Sequence, residues 1–183
     1  MSNRWSNTLQ NIGYPLYNRI FMGIHFIFGI VIQIIGPMQF IEYLRNIHVH
    51  RWIGRIYILF AMIASICGMS FITINSTEGG INMSCAFFIY GLCFYISATI
   101  TWIHARRKEY KNHMYWAIRT FFLGIGSWLY RLLYYAAFAC GYKFVQSSDF
   151  LRPLDMIFDW LFFVPNMIIA EIVILLIKKS YRV

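Results

Sequence analysis

Nine side chains in this sequence sit where polar chemistry is costly. His25, His50, Arg55, His113, Arg119, Arg131, Asp159, Asn166 and Glu171 lie inside or at the edges of long apolar runs. An ionisable group at the centre of a bilayer costs about 2.5–3.5 kcal/mol on insertion scales, so such groups turn inward and find partners. They fall into two sets. His25, Arg131 and Asp159 belong near one end of their runs, with Asn166 two turns beyond Asp159. His50, Arg55, His113, Arg119 and Glu171 belong near the other end. Matching depths make Arg119–Glu171 and Arg131–Asp159 plausible ion pairs, with His25 able to join the second.

Three chemistries fit this inventory. A b-type haem needs two neutral imidazoles facing each other across a bundle, with arginines near its propionates. His50 and His113 supply the imidazoles as candidate iron ligands, and Arg51, Arg55 and Arg119 supply the cations. His25 with Arg131 is only half of such a site, so a two-haem wire across the whole bilayer is not expected. The second chemistry needs no metal: a quinone, a lipid headgroup or a small anion held by Arg and His between helices, or a proton-coupled path. The third is structural, with buried charges that only fix helix register. A hydrolase is not indicated, since no G-x-S-x-G, H-E-x-x-H or Gly-rich phosphate loop is present. No catalytic residue is assigned. Gln33, Gln39, Asn75 and Asn166 read as interhelical hydrogen-bonding groups.

The elements that position these groups follow from composition. Of 183 residues, 60% are hydrophobic and 13% charged, with mean hydropathy +0.57, and a soluble domain of this length has too little interior to hide that surface. Five runs emerge, each long enough to cross a hydrocarbon core at about 1.5 Å per residue. They are Ile20 to Ile41, Ile56 to Thr77 (with His50 to Arg55 as its first turns), Gly79 to Ile103, Met114 to Gly141, and Asp155 to Ile177. The expected fold is an all-α integral membrane bundle of about five transmembrane helices. Pro165 is expected to bend the last helix. Gly124 and Gly126, placed among the residues between Arg119 and Arg131, allow close approach of neighbours and make the fourth run central.

The formal net charge of +9 argues for anionic headgroups rather than nucleic acid, because the cations cluster between the apolar runs. One side holds Arg4, Arg19, Lys143 and Arg152. The other holds Arg45, Arg51, Arg55, Arg106, Arg107, Lys108, Lys111, Lys178, Lys179 and Arg182, with Arg119 and Arg131 left inside. Four against ten puts the second side in the cytoplasm, the N-terminus outside and the C-terminus inside. Residues 1–19 then form an interfacial tail, 20–177 one transmembrane domain, and 178–183 a basic cytoplasmic tail. Trp5, Tyr17, Trp52, Tyr57, Trp102, Trp116 and Tyr181 suit an interfacial aromatic belt. Cys67, Cys85, Cys93 and Cys140 form no C-x-x-C pair and read as small hydrophobes.

Four blocks occur in order: Gly36-Pro-Met-Gln-Phe40, His50-Arg-Trp-Ile-Gly-Arg-Ile-Tyr57, His113-Met-Tyr-Trp-Ala-Ile-Arg119 with Tyr130-Arg131, and Trp160-Leu-Phe-Phe-Val-Pro-Asn-Met-Ile-Ile-Ala-Glu171. Together they resemble the predicted multi-pass membrane proteins catalogued as domain of unknown function 2306, over roughly His25 to Glu171. The resemblance implies a helical membrane domain and marks His25, His50, His113, Arg119, Arg131, Asn166 and Glu171 as family-type positions. It implies no activity. The family's usual His-Arg-x-Trp-Met-x-Arg is here His113-Met-Tyr-Trp-Ala-Ile-Arg119, which lacks the second basic residue and with it a phosphate or headgroup contact at that position. The expected task is binding one haem b or a quinone-like amphipathic ligand; the alternative is non-enzymatic transport or an assembly role, with an oligomer as one possible form.

Overall fold

A computed structural model describes residues 15–41, 47–77, 79–141 and 153–180. The expectations for Trp5, Arg4, Arg45, Lys143, Arg152, Tyr181 and Arg182 lie outside the described residues, as does most of the N-terminal tail. All elements among the described residues are helices: α1 (Leu16–Met38), α2 (Ile47–Asn75), α3 (Gly80–Arg106), α4 (Tyr110–Gly124), α5 (Gly126–Ala139), α6 (Pro153–Leu161) and α7 (Val164–Ser180). With no water to satisfy backbone groups in hydrocarbon, apolar segments of this length adopt the one conformation that bonds them internally.

Four stretches are long and apolar enough to cross a membrane: Leu16–Met38, His48–Asn75, Gly80–Arg106 and Asp155–Ser180. The remaining expected run is split, with 15 residues in α4 and 14 in α5, so neither half spans by itself. The chain does not reverse between them. Ile125 keeps right-handed helical angles (φ −76°, ψ −10°), and its N–H still reaches the Phe121 carbonyl at 3.1 Å. The last run is also broken, at Phe162–Phe163 and just ahead of Pro165 rather than at it. A proline removes a donor and crowds the preceding turn. Asn166 spans this gap by donating from Nδ2 to the Phe162 carbonyl at 3.0 Å, so its partner lies on its own side of the bundle and not on a neighbouring helix.

The turns are fixed locally. Ser76 and Gly80 take positive φ (59° and 76°), and the Thr77 N–H donates to Ser84 Oγ at 2.9 Å, tying the turn to the start of α3. Between α3 and α4, the Glu109 carboxylate accepts from Asn112 Nδ2 at 3.2 Å and lies 2.7 Å from His104 Nδ1. Those two contacts, Asn112 first, hold its carboxyl below the usual carboxylate range.

Alanines, glycines and aromatic rings build the core. Ala61 and Ala64 of α2 and Ala98 of α3 pack with Ile32, Tyr57, Ile58, Phe94, Leu123, Phe162 and Phe163, small residues letting the backbones approach. Gly124 of α4 sits where three other helices converge on it. A Cβ there would lie 2.5 Å from the Tyr57 hydroxyl and 3.7 Å from both Ile32 and Phe94. The central position expected of this run is therefore enforced sterically. Gly29 is the opposite case, with nothing within 4 Å of an added Cβ. Gly124→Ala is expected to lower stability by about 1–3 kcal/mol through overpacking, while Gly29→Ala is neutral or slightly stabilising. Thermal unfolding of both variants in detergent micelles checks the contrast, and equal midpoints would refute it.

Candidate functional site

The break at Ile125 releases backbone groups that a continuous helix would pair. Trp128 and Leu129 N–H both reach the Ile125 carbonyl at 3.1 Å, and three side chains from three helices take carbonyls just below. Gln33 of α1 donates from Nε2 to the Gly124 carbonyl at 2.7 Å and reaches Ser127 Oγ at 2.9 Å. Tyr90 of α3 donates its hydroxyl to the Leu123 carbonyl at 2.9 Å, and the Ser127 N–H bonds to the same hydroxyl. Tyr57 of α2 donates to the Thr120 carbonyl at 3.3 Å. Non-helical backbone at membrane depth survives only where protein satisfies it in this way.

The Gln33–Ser127 contact also sets the register of α1 against α5, which run in opposite directions. One turn further, Gly29 on α1 faces the level of Arg131 on α5, because each is four residues from its member of the contact. Gly29 has open space beside it. A turn beyond, His25 is anchored by Nδ1 to the Ala64 carbonyl at 2.8 Å. Its ring lies against Gly68, where a Cβ would come within 2.9 Å of Nδ1, so a side chain at position 68 would expel it. A carbonyl only accepts, so Nδ1 carries the proton and neutral His25 keeps a bare Nε2. Arg131 interacts electrostatically with both His25 and Tyr90. Gln33 and Ser127, Gly29 with its open flank, and His25, Tyr90 and the exposed Arg131 thus border the seam between α1 and α5, the candidate cleft.

The expected Arg131–Asp159 pair is not made: among the described residues the ion pairs are His104–Glu109 and Arg119–Glu171. Buried Asp159 instead accepts from Asn82 Nδ2 at 2.8 Å, and Asn82 accepts from Trp160 Nε1 at 3.2 Å. The reason is the face of α5 each group occupies. Tyr130 and Tyr134 present their rings to Phe162 and Phe158 on the acidic side, whereas Arg131 follows Ser127 on the side toward α1. His25 is accordingly absent from the Asp159 cluster.

At the basic end, Arg119 and Glu171 form a two-pronged ion pair, Nε to Oε1 at 2.5 Å and Nη2 to Oε2 at 2.9 Å. The guanidinium also lies 4.5 Å from the centre of the Trp116 ring. Tyr115, Ile118, Ala170 and Ile174 pack below it. Arg55 is exposed and rests 5.1 Å from the Trp52 ring. His113 donates from Nδ1 to the Thr101 carbonyl at 3.0 Å. His50 and His113 each lie two turns before the Tyr57–Thr120 contact on helices that run the same way, which places them at similar depth. No group of three or more His, Cys, Asp or Glu side chains among the described residues gathers as a metal site.

Sequence reasoning did not foresee Tyr57, Tyr90, Asn82, Trp160 or Ser127 as part of these networks. The one available signal was the tyrosines in mid-run, Tyr90 above all, since a hydroxyl at hydrocarbon depth needs a partner.

These features define an integral, multi-pass, all-helical membrane protein with a polar interior. The chain belongs to the DUF2306 family of predicted membrane proteins, whose profile matches residues 22–174. No curated protein and no solved structure matches it.

The bidentate pair generates a test. Arg119→Ala and Glu171→Ala are each expected to destabilise, and the double variant to cost less than their sum by about 0.5–3 kcal/mol. Unfolding midpoints of the four proteins measure this coupling, and strict additivity would show that the two side chains do not interact.

Proposed function

We propose that this protein binds the polar head of a small amphipathic, quinone-like ligand in the α1–α5 cleft, in an orientation that turns its basic end to the cytoplasm. One observation carries the reading: Arg131, exposed on the α1 side of α5, makes no ion pair among the described residues and interacts electrostatically with His25, at the level where Gly29 has open space beside it. A cation in that position is stabilised by an acceptor oxygen, and the carbonyls of a quinone or the oxygens of a headgroup provide one. The bare Nε2 of His25 accepts from a ligand hydroxyl. The apolar remainder of the ligand needs only the lipid-facing surface of α1 and α5, where Ile27, Ile30, Leu132 and Tyr135 are exposed.

The test is ligand-induced stabilisation with decylubiquinone. At about 100 times Kd a bound ligand adds about 2.7 kcal/mol, roughly 5–10 °C for a chain of this size. Gly29→Leu fills the cleft, so the unliganded midpoint stays close to wild type while the quinone-induced shift disappears. Arg131→Gln shrinks the shift as well. An equal shift in wild type and Gly29→Leu, or none in wild type, would remove the proposal.

A second reading, one b-type haem between His50 and His113, is favoured by the His113–Thr101 bond. Iron-ligating histidines characteristically donate their other ring N–H to a carbonyl, leaving Nε2 for the metal. Purified protein would then show a Soret band with sharpened bands after dithionite reduction, and His50→Ala/His113→Ala would abolish it. A spectrum unaltered by that double substitution would dismiss the haem.

A further inference from the structure

We infer that the lipid-facing furrow between α2 and α3 holds one membrane glycerophospholipid, its ester carbonyl accepting a hydrogen bond from Ser70 and its acyl chain lying along Met69, Ile66 and Leu92. The inference is independent of the α1–α5 seam. Three observations carry it.

First, the furrow has the width of a hydrocarbon chain. Ile66, Ser70, Thr73 and Ile74 form one stripe of α2, and Phe88 and Leu92, one turn apart on α3, line it from the other side. Met69 lies between them, its side chain laid against Gly91, where a Cβ would come within 2.9 Å of Cγ. The two turns from Ile66 to Ile74 cover about 12 Å, so a volume of about 430 Å³ corresponds to a channel about 7 Å across. A helix is about 10–12 Å across with its side chains and would bridge such a channel without filling it. Second, the furrow carries an unused hydroxyl. Ser65, Thr73, Thr99, Thr101 and Thr120 each donate to the carbonyl four residues earlier. Ser70 lines the furrow and makes no hydrogen bond among the described residues. A hydroxyl in hydrocarbon gains from any acceptor brought to it. Third, the depth is that of an ester. The 29 residues of α2 cover about 43 Å, the thickness of a bilayer with its headgroup layers (about 40–45 Å, of which about 30 Å is hydrocarbon). Ser70, five residues before Asn75 at the end of α2, lies about 7–8 Å inside that end. This is the edge of the hydrocarbon, where the esters of a glycerophospholipid sit.

Lipid chains are as apolar as leucine, so burial alone selects no occupant here; close packing and hydrogen bonding do. The Ser70 hydroxyl meets an ester carbonyl at its own depth. The chain then continues toward the midplane past Met69 to Ile66 and Leu92, which are exposed. Thr73, its hydroxyl already bonded to the Met69 carbonyl, adds only a methyl group to the wall. A lipid held in this way exchanges more slowly than one resting on the exposed isoleucines of α1.

The experiment labels the protein from the lipid. Full-length protein is placed in phosphatidylcholine nanodiscs doped with a phosphatidylcholine that carries a diazirine in its acyl chain. After illumination, the labelled residues are quantified by mass spectrometry. Ile20 and Ile27 of α1 serve as the reference. Both are exposed, and the Asn18–Asn75 bond at 2.8 Å places them level with Thr73 and Ile66. The expected result is labelling of Ile66, Met69 and Leu92 several-fold above that reference. Ser70→Ala lowers the excess about threefold or more, the factor that a hydrogen bond of ordinary strength confers in a membrane. Leu92→Trp, which fills the furrow, removes it. Wild-type labelling at or below the reference would overturn the site, and a value below it is what a second copy covering the furrow would give. An excess that either folded variant leaves unchanged would overturn it as well. Ser70→Ala, the milder change, decides alone if Leu92→Trp does not fold.

Discussion

Backbone polar groups inside hydrocarbon must all be bonded, and the place where this chain bends that rule organises the rest of it. At Ile125 one crossing becomes two half-helices, α4 and α5. The Leu123 and Gly124 carbonyls at the break are met by Tyr90 of α3 and Gln33 of α1, and Tyr57 of α2 reaches the Thr120 carbonyl a turn earlier. An unsatisfied amide in an apolar surrounding costs several kcal/mol. A half-formed network of this kind would be worse than an unbroken helix, so Gln33, Tyr90 and the break require one another. The same requirement explains why Gly124 lacks a side chain: a Cβ would occupy the place of the Tyr57 hydroxyl.

From that joint the two ends of the bundle take different characters. On the α4 side the polar groups are tightly paired, with Arg119 against Glu171 and Trp116, and Thr101 joined to Thr120 at 3.0 Å while its carbonyl receives His113. On the α5 side packing is thinner: Gly29 has open space beside it, and Trp128, Arg131, Leu132 and Tyr135 are exposed. A helix secured at its base and loose beyond it is drawn from the low-stability part of a fold, where binding segments usually lie.

Much of this was legible in the sequence. Membrane class, the helical runs and the Arg119–Glu171 contact follow from apolar length and from counting turns between charged residues. The break at Ile125 was not legible, because its cause is spread over three distant helices: Gln33 and Tyr90 mean nothing for residue 125 until the bundle brings them there. Arg131–Asp159 failed for a related reason. Depth can be counted along a helix, but the facing of a side chain after a break cannot, since the interruption at Ile125 shifts the phase of Arg131 and that at Phe162–Phe163 the phase of Asn166. Asn166 illustrates the second: read as two turns from Asp159 on one face, it instead repairs its own helix.

Asp159 makes the strongest case that Arg131 does not serve to neutralise a buried acid. Asp155 and Asp159 are both buried at the same end of the bundle, and a guanidinium turned their way would gain a charge-assisted bond. Asp159 is instead bonded to Asn82, which Trp160 holds in turn, and Tyr130 and Tyr134 of α5 lie within electrostatic reach of both acids. If charges here served only to fix helix packing, pairing Arg131 with Asp159 would be the cheaper arrangement, as it is for Arg119 with Glu171. The guanidinium stays instead on the α1 side, exposed and within electrostatic reach of the fixed His25 imidazole, at the level of the open flank of Gly29.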